Sequence, residues 1–383
     1  MLSKIKDLSE YCEKDLEKEK LILQVFNGFP KEVNYLSDLS CEKLDIDEIK
    51  SLKYKCEEPA KYCPECGRKY FAGDNVCHDC LVRLKDISDK IEVSDIDFNP
   101  SFTFGGDNNY DTYDAIFTGD NLLKLSNFDF TYSDYLKILH DIKAQAFKNF
   151  DEIVKLNKID FDSLEILDKV LLFVKSFVKT EFKSEGGQLG YFDGYTIYID
   201  DRQSRSLQIT TLIHELSHFL IQEILTFTVC SILNTSKNEY IESAVMFILS
   251  YSPFTQLIDE YSAHNVEGRF TLFGFQDYSS FKQIEKSLDG EMSREDIDIT
   301  KSIGNTFAIS IKEIMESLID KELREEIKDQ FLKDTLDRPD YMALEMENCQ
   351  KLNDEGFMKA IGVILNEGFE VAALNIDKLS LNQ

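Results

Sequence analysis

The sequence is short of positive charge. Its 383 residues include 43 Lys and Arg against 71 Asp and Glu, which gives a formal net charge of −28. A surface with this balance repels phosphate, which argues against nucleic acid as the main partner. Two interpretations of the acidity stay open: a solvated acidic surface, or a preference for basic substrates.

A secretory signal and long apolar runs are also lacking. Residues 1–6 are followed by further charged residues rather than by an apolar stretch. No run of about eighteen uncharged apolar residues occurs, and the nearest, residues 219–233, is interrupted by Gln222 and Glu223. We therefore expect a cytoplasmic protein without a membrane span, in which residues 219–233 belong to a core helix.

Disulfides are not expected either, although the chain has nine cysteines. A reducing cytoplasm disfavours a disulfide framework, and four of the cysteines have the spacing of a metal site. Cys63 and Cys66 form one Cys-x-x-Cys pair, and Cys77 and Cys80 form a second. Four thiolates complete the tetrahedral shell of a zinc ion, so the pattern predicts one structural zinc. A redox-active pair is disfavoured because the two pairs occur together.

This stretch resembles the zinc ribbon family over residues 61–82. The resemblance rests on Cys-Pro-x-Cys-Gly at residues 63–67 and on Cys-x-x-Cys at residues 77–80. It implies a small module stapled by metal, of a kind commonly used for contacts with proteins or nucleic acids. Because the charge disfavours nucleic acid, we expect a contact through the ribbon to be with a protein. His78, inside the second pair, is an alternative ligand.

The strongest chemical signal is His-Glu-x-x-His at His214, Glu215 and His218. Residues four apart share one face of a helix, so the two imidazoles can bind one zinc ion. Glu215 would then stand next to the water that such a metal activates, placed to accept its proton. The flanking residues are apolar almost all round the helix. This predicts burial, and buried imidazoles need partners such as a metal.

The sequence just before the motif supports it. Residues 194–200 are rich in β-branched and aromatic side chains and predict a strand that leads into the motif helix. Such a strand would offer an extended peptide an edge to pair with.

A third metal ligand is expected downstream. The residue six positions after His218 is Ile224, not the histidine that metzincins carry there. Glu260 lies in a predicted helix together with His264, four residues on, so the two share a face. We predict Glu260 as the third ligand, with His264 and Asp259 as alternatives.

Together, the motif, the strand before it and the Glu260 helix resemble the gluzincin type of zinc metallopeptidase over residues 190–270. The resemblance implies a zincin-like fold, a catalytic zinc held by His214, His218 and Glu260, and hydrolysis of peptide bonds with Glu215 as base. In some gluzincins an aspartate four residues after the glutamate ligand orients a zinc-binding histidine. Here that position is His264, which is an alternative ligand or a donor to the transition state.

The pattern of the whole chain predicts an α+β fold that is mostly helical, with a small sheet. Helices are predicted from residue 132 to about residue 183 and over residues 240–249. The predicted parts are an N-terminal helical segment (1–60), the zinc ribbon (61–82), an acidic connector (83–131) and a zincin-like metallopeptidase domain with C-terminal helices (132–383).

The predicted function is zinc-dependent hydrolysis of a protein or peptide substrate, with one catalytic and one structural Zn²⁺. The alternative is a non-catalytic regulatory or protein-binding protein whose metal site is structural or vestigial. The intact Glu215 disfavours it, since a structural site needs no base. A chance motif that packs in a core and binds nothing is disfavoured because two unpartnered buried histidines are costly.

Overall fold

The computed structural model describes residues 61–63, 69–70, 75–77, 81–86, 93–183, 189–271, 279–288, 292–334 and 350–379. The predicted N-terminal helical segment, residues 1–60, lies outside the described residues, and so do Cys66 and Cys80. The chain divides into two compact units, Met1–Ile91 and Glu92–Gln383.

The first unit contains a small antiparallel sheet. Strand β1 (Lys61–Tyr62) lies between β2 (Lys69–Tyr70) and β3 (Lys85–Asp86). Cys63 and Cys77, one from each predicted metal-binding pair, are both fully buried and belong to one cluster with Tyr70 and Leu84. The Tyr70 hydroxyl lies 3.0 Å from the Cys77 sulfur. The described part of the predicted ribbon thus buries two thiols behind a three-stranded sheet.

The described residues of the second unit are mostly helical with one three-stranded sheet, which confirms the predicted α+β class. Its strands are β4 (Lys179–Lys183), β5 (Gly190–Phe192) and β6 (Thr196–Asp200). Its described α-helices are α1 (Tyr113–Ile116), α2 (Gly119–Asn127), α3 (Tyr132–Asn157), α4 (Ile166–Lys175), α5 (Arg205–Leu233), α6 (Glu239–Ser250), α7 (Pro253–Phe270), α8 (Ser279–Ser287), α9 (Arg294–Met315), α10 (Lys321–Asp334), α11 (Asp354–Ala373) and α12 (Ile376–Leu379).

Helix α5 is the centre of this unit. It carries the His-Glu-x-x-His motif and is apolar around most of its circumference, so almost every side chain from Ile209 to Leu233 is buried. Neighbours surround it: α4, α6, α7, α10 and the strands β5 and β6 all contact it. Each fully buried leucine or isoleucine stabilises the fold by roughly 1.5–3 kcal/mol relative to an exposed one. The motif is therefore held in a rigid element.

Local signals explain where the helices beside α5 begin. Asn238 caps α6, and its side chain accepts hydrogen bonds from the backbone N–H groups of Tyr240 and Ile241. Ser252 caps α7 in the same way, with Pro253 at the first helical position, where its missing N–H costs nothing. The helix predicted over residues 240–249 is confirmed.

The sheet differs from prediction in two respects. The helix predicted to about residue 183 is wrong for Lys179–Lys183, which form β4 parallel to β6. The strand predicted before the motif helix is present as β6, but β6 is the middle strand, with β4 and β5 on either side. It therefore offers no edge to a peptide. The antiparallel strand β5 is an edge next to α5.

Residues 93–131, part of the predicted acidic connector, join the core of the second unit. They include α1 and α2, and they bury Phe102, Ile116 and Leu125 in the main hydrophobic cluster. Their acidic side chains lie at the surface between these apolar anchors, for example at Asp114 and Asp120. This acidic segment is therefore part of the folded core, because its spaced hydrophobic residues pack there.

Helix α5 is long and apolar enough to cross a membrane by length and composition alone. However, 83% of its most apolar 18-residue window is buried inside the fold. Helices α6 and α7 pass the same test only when joined, and they bend by 95° at their break. A buried core helix has the same composition, so this finding indicates little about a membrane.

We expect Gly194→Ala to destabilise the protein by roughly 1–3 kcal/mol. Gly194 lies in the β5–β6 turn with φ +98°, and an added Cβ would overlap the Met246 thioether of α6. Urea unfolding measures the loss. Gly119→Ala is the control, because nothing lies within 4 Å of its Cβ position. Equal stability of the two variants would contradict the packing of this turn.

Candidate metal centre

The candidate centre lies between α5 and α7. His214, Glu215 and His218 belong to α5, and Glu260 belongs to α7. The turn at residues 234–238, helix α6 and a sharp break at Ser252 bring α7 back against α5, and the two helices make extensive contact. Local spacing places the histidines on one face, and tertiary packing brings the glutamate to them.

Three donor atoms converge at this face. The Nε2 atoms of His214 and His218 lie 3.2 Å apart. Glu260 Oε2 lies 3.7 Å from His214 Nε2, and Glu260 Oε1 lies 4.0 Å from His218 Nε2. Tetrahedral zinc with bonds of 2.0–2.1 Å sets its ligand atoms about 3.3 Å apart. The two nitrogens already have this separation, whereas the Glu260 carboxylate must move closer to them, by about 0.4–0.7 Å, for the three residues to hold one ion.

The alternative ligands point elsewhere. Asp259 lies behind His218, with Oδ1 at 2.9 Å from Nδ1. His264 turns its Nε2 to the Ser280 hydroxyl at 2.8 Å. Of the three candidates for the third ligand, Glu260 is the one whose side chain lies within 4.0 Å of the Nε2 atoms of both His214 and His218.

A carboxylate stands behind each imidazole of the motif. Glu267 Oε2 lies 3.2 Å from His214 Nδ1. Asp259 Oδ1 lies 2.9 Å from His218 Nδ1, but it is not in line with the ring N–H, so the pair forms an ionic contact and not a hydrogen bond. Such a carboxylate favours the tautomer with the proton on Nδ1 and leaves the Nε2 lone pair for a metal. This arrangement orients both rings and raises their basicity.

Glu267 was missed by the sequence analysis. It is buried, with 2% of its surface exposed, and it also contacts His264 Nδ1 at 3.3 Å. A usable signal was present, because Glu267 lies seven residues after Glu260 and so returns to the same helix face. In the described part of the chain its Oε1 has no hydrogen-bond partner.

His264 contacts the residues that surround the proposed metal ligands, namely Glu267 and Ser280. It is buried, and the hydroxyl beside its Nε2, that of Ser280, donates to Glu260 Oε2 at 2.7 Å. Because that hydroxyl has a single proton, His264 Nε2 must donate to Ser280. The resulting chain of hydrogen bonds holds Glu260 toward the two imidazoles, and burial keeps His264 from direct contact with a substrate.

Burial and charge shift the pKa values of these groups in opposite directions. Burial disfavours the charged form of His218, but the Asp259 carboxylate outweighs it and raises the pKa to about 10. Burial disfavours the Glu260 carboxylate, but the His218, His214 and His264 rings outweigh it and lower its pKa to about 2. Glu260 is therefore ionised at neutral pH, as a metal ligand must be.

Glu215 differs from the other carboxylates. Burial raises its pKa, and no hydrogen bond joins its side chain to another residue in the described part of the chain. A carboxylate that is close to a metal position and not held by a donor stays available to accept a proton.

A second set of donor atoms, from His214, His264 and Glu267, also lies within 4.8 Å of one another. It would use Nδ1 of His214, which Glu267 already contacts. His264 and Glu267 are both buried, whereas His214, His218 and Glu260 are all partly exposed. The set with Glu260 is therefore the better candidate for a site that a substrate reaches.

We expect zinc binding to weaken as the pH falls. Without metal, His214 and His218 both have raised pKa values despite their burial, so zinc must displace protons from them. Each displaced proton changes the association constant by about tenfold per pH unit. Asp259→Asn lowers the pKa of His218 and should reduce that slope.

Competition with a chelator between pH 6 and 8.5 measures this dependence, after subtraction of the signal from His214→Ala protein. Asp141→Asn is the control, since Asp141 is exposed on α3. An affinity independent of pH would contradict the paired arrangement of carboxylates and imidazoles, and so would an unchanged slope in Asp259→Asn.

Comparison with protein-family models, with curated proteins and with solved structures finds no match to this chain. An assignment of function to the α5–α7 centre therefore rests on the chemistry of its residues.

Proposed function

We propose that the chain is a zinc-dependent metallopeptidase in which His214, His218 and Glu260 hold the metal and Glu215 is the general base. The observation that carries the proposal is the convergence of two Nε2 atoms and one carboxylate at 3.2–4.0 Å. Two imidazoles and a carboxylate make a ligand set that zinc favours, and three protein ligands leave a fourth position open. An open position is typical of a catalytic site and not of a structural one.

When bound, zinc supplies Lewis acidity, which lowers the pKa of water and polarises a carbonyl group. Glu215 then accepts the proton of the attacking water and delivers it to the leaving amine. Its raised pKa suits this exchange, because a carboxylate whose pKa lies closer to the working pH both takes and returns a proton more readily. Asp259 and Glu267 hold the two imidazoles in place during the reaction.

The edge strand β5 is the proposed platform for the substrate. Hydrogen bonds to β6 involve Leu189 and Asp193, so strand alternation turns the backbone groups of Gly190 and Phe192 outward. Among the described residues, no strand pairs with that outer side. An extended peptide can add there through main-chain hydrogen bonds.

The face of α5 that bears Glu215 is turned toward β5. Gly190 packs against Thr211, and Gln222 donates a 3.0 Å hydrogen bond to the carbonyl of Gly194 at the other end of the strand. Glu215 lies four residues after Thr211 and seven before Gln222, so all three share this face. A peptide along β5 would therefore pass beside the proposed base.

For the first unit we propose one structural zinc held by Cys63, Cys66, Cys77 and Cys80, and a role in contacting a protein partner. The shared burial of Cys63 and Cys77 in one small cluster supports the first part. A closed site of four thiolates would add stability that so small a cluster lacks.

We expect Glu215→Gln to retain zinc and to lower peptide hydrolysis by a factor on the order of 100 or more, because it removes the base and leaves the ligands. The assay is digestion of an unbiased peptide mixture with products identified by mass spectrometry. Glu370→Gln, an exposed change on α11, is the control. Wild-type turnover by Glu215→Gln would sink the proposed mechanism. A wild-type chain that binds zinc but cleaves no peptide would favour the non-catalytic alternative.

We also expect two zinc ions per purified wild-type chain and one in either His214→Ala or Cys63→Ser. Elemental analysis of the protein measures this number. His140→Ala should retain both ions, since His140 is exposed on α3 and its ring lies beside Asp141 alone among the described acidic groups. A loss of zinc from that control, or no loss from His214→Ala, would contradict the assignment of the α5 site.

A further inference from the structure

A cavity of about 350 Å³ opens beside the β5–β6 turn. Its walls combine aromatic rings with a few polar groups. The lining residues include Phe102, Phe177, Tyr195, Phe219, Gln222 and Glu242. Tyr195 is half exposed and forms part of the rim, and its hydroxyl lies 3.3 Å from the Ser243 hydroxyl of α6.

The cavity continues the face of α5 that carries the proposed base. Phe219 directly follows His218, and Gln222 lies seven residues, or about 10 Å of helix, beyond Glu215 on the same side. An extended peptide advances about 3.3 Å per residue. A peptide lying along β5 would thus bring a side chain two or three residues from the scissile bond to the mouth of the cavity.

Lys237 and Glu242 line one wall, and Glu223 lies behind Lys237. Lys237 Nζ lies 2.6 and 2.8 Å from the two oxygens of Glu223, which is fully buried, and 3.0 Å from Glu242 Oε1. These contacts use all three N–H donors of the lysine. One cation thus faces two carboxyl groups, and Glu242 keeps an oxygen without a donor in the described part of the chain. Burial raises the pKa of Glu223 to about 7, so the excess of negative charge is present above that pH.

The second lysine that lines the cavity does not offset this excess of negative charge. Lys179, at the rim, is paired with Glu181 at 2.7 Å. The cavity therefore presents aromatic rings together with one uncompensated carboxylate. That combination suits an organic cation, whose charge pairs with the carboxylate and whose stem and charge both interact with aromatic faces.

We propose that this cavity binds the side chain of a lysine or arginine in the substrate peptide, two or three residues from the bond that is cleaved. That the bound side chain belongs to a substrate depends on the proposed peptidase function. The binding of a basic side chain in the cavity does not depend on it. The apolar stem lies against the wall of phenylalanine rings, which pack on one another with centroids 5.9–6.0 Å apart, and the charged end reaches Glu242. The net charge of −28 favours the approach of basic peptides in general, and the cavity adds a positional preference.

The first test is independent of cleavage. Nα-acetyl-arginine amide and its uncharged analogue Nα-acetyl-norleucine amide are titrated calorimetrically into wild-type and His214→Ala protein at pH 8. We expect the arginine probe to bind both proteins at least about tenfold more tightly than the norleucine probe, because only the arginine probe can form a charge-assisted hydrogen bond with Glu242. Equal binding of the two probes, or no binding of either, overturns the proposal.

Matched variants assign the site. Glu242→Gln should weaken the arginine probe by about tenfold or more, and Tyr195→Ala, at a half-exposed position that tolerates truncation, should weaken both probes. Glu239→Gln, an exposed glutamate on the same helix, should bind as wild type does. Undiminished binding by Glu242→Gln, with the fold intact by circular dichroism, places the cation elsewhere and contradicts the assignment.

Digestion of an unbiased peptide mixture then separates the two proposals. Enrichment of lysine and arginine two or three residues from the cleaved bond, lost in Glu242→Gln while other peptides are still cut, supports both. Probe binding without any cleavage supports the cavity and counts against the peptidase. Cleavage without a basic preference at that distance shows a working peptidase and overturns the role given to the cavity.

Discussion

The interface between α5 and α7 must bury ionisable side chains inside an apolar core, and most of the functional architecture follows from that constraint. Four carboxylates face three imidazoles there. The carboxylates belong to Glu215, Asp259, Glu260 and Glu267, and the imidazoles to His214, His218 and His264. Such groups cost several kcal/mol each to desolvate unless each finds a partner of opposite charge. In the absence of metal the imidazoles can supply that charge by holding protons, as the raised pKa values of His214 and His218 indicate. A divalent cation would supply it instead, in exchange for those protons.

The same helix connects this centre to the sheet. Polar residues on α5 point to the side of β5, and Gln222 ties α5 to the β5–β6 turn through the Gly194 carbonyl. The turn needs a glycine because the thioether of Met246 occupies the space of a Cβ. The edge strand is therefore positioned from two sides, by α5 and by α6. A strand fixed in this way beside the candidate metal centre would give a peptide a defined path, with the cavity at one end of it.

Sequence reasoning found what local periodicity determines. The i, i+4 spacing placed His214 and His218 on one face, and the same rule favoured Glu260 as the residue that meets them. It overlooked Glu267, although the seven-residue spacing from Glu260 indicates the same helix face. It could not find the orienting position of Asp259, because that depends on how α7 rotates against α5. The segment Lys179–Lys183 was assigned to a helix because it continues an apolar helical pattern, whereas pairing with β6 decides its state. The partners of Gln222 and Glu223 are Gly194 and Lys237, which lie 28 and 14 residues away in sequence and could not be inferred from it.

The most direct test of the central claim is a crystal structure with an anomalous difference map measured at the zinc absorption edge. We predict a peak between α5 and α7 at about 2.0–2.2 Å from His214 Nε2, His218 Nε2 and a Glu260 oxygen, with the fourth position open toward β5. A peak coordinated by His264 and Glu267 with Glu260 turned away would contradict the account. So would a fully ordered α5–α7 interface without a peak in protein grown in excess zinc.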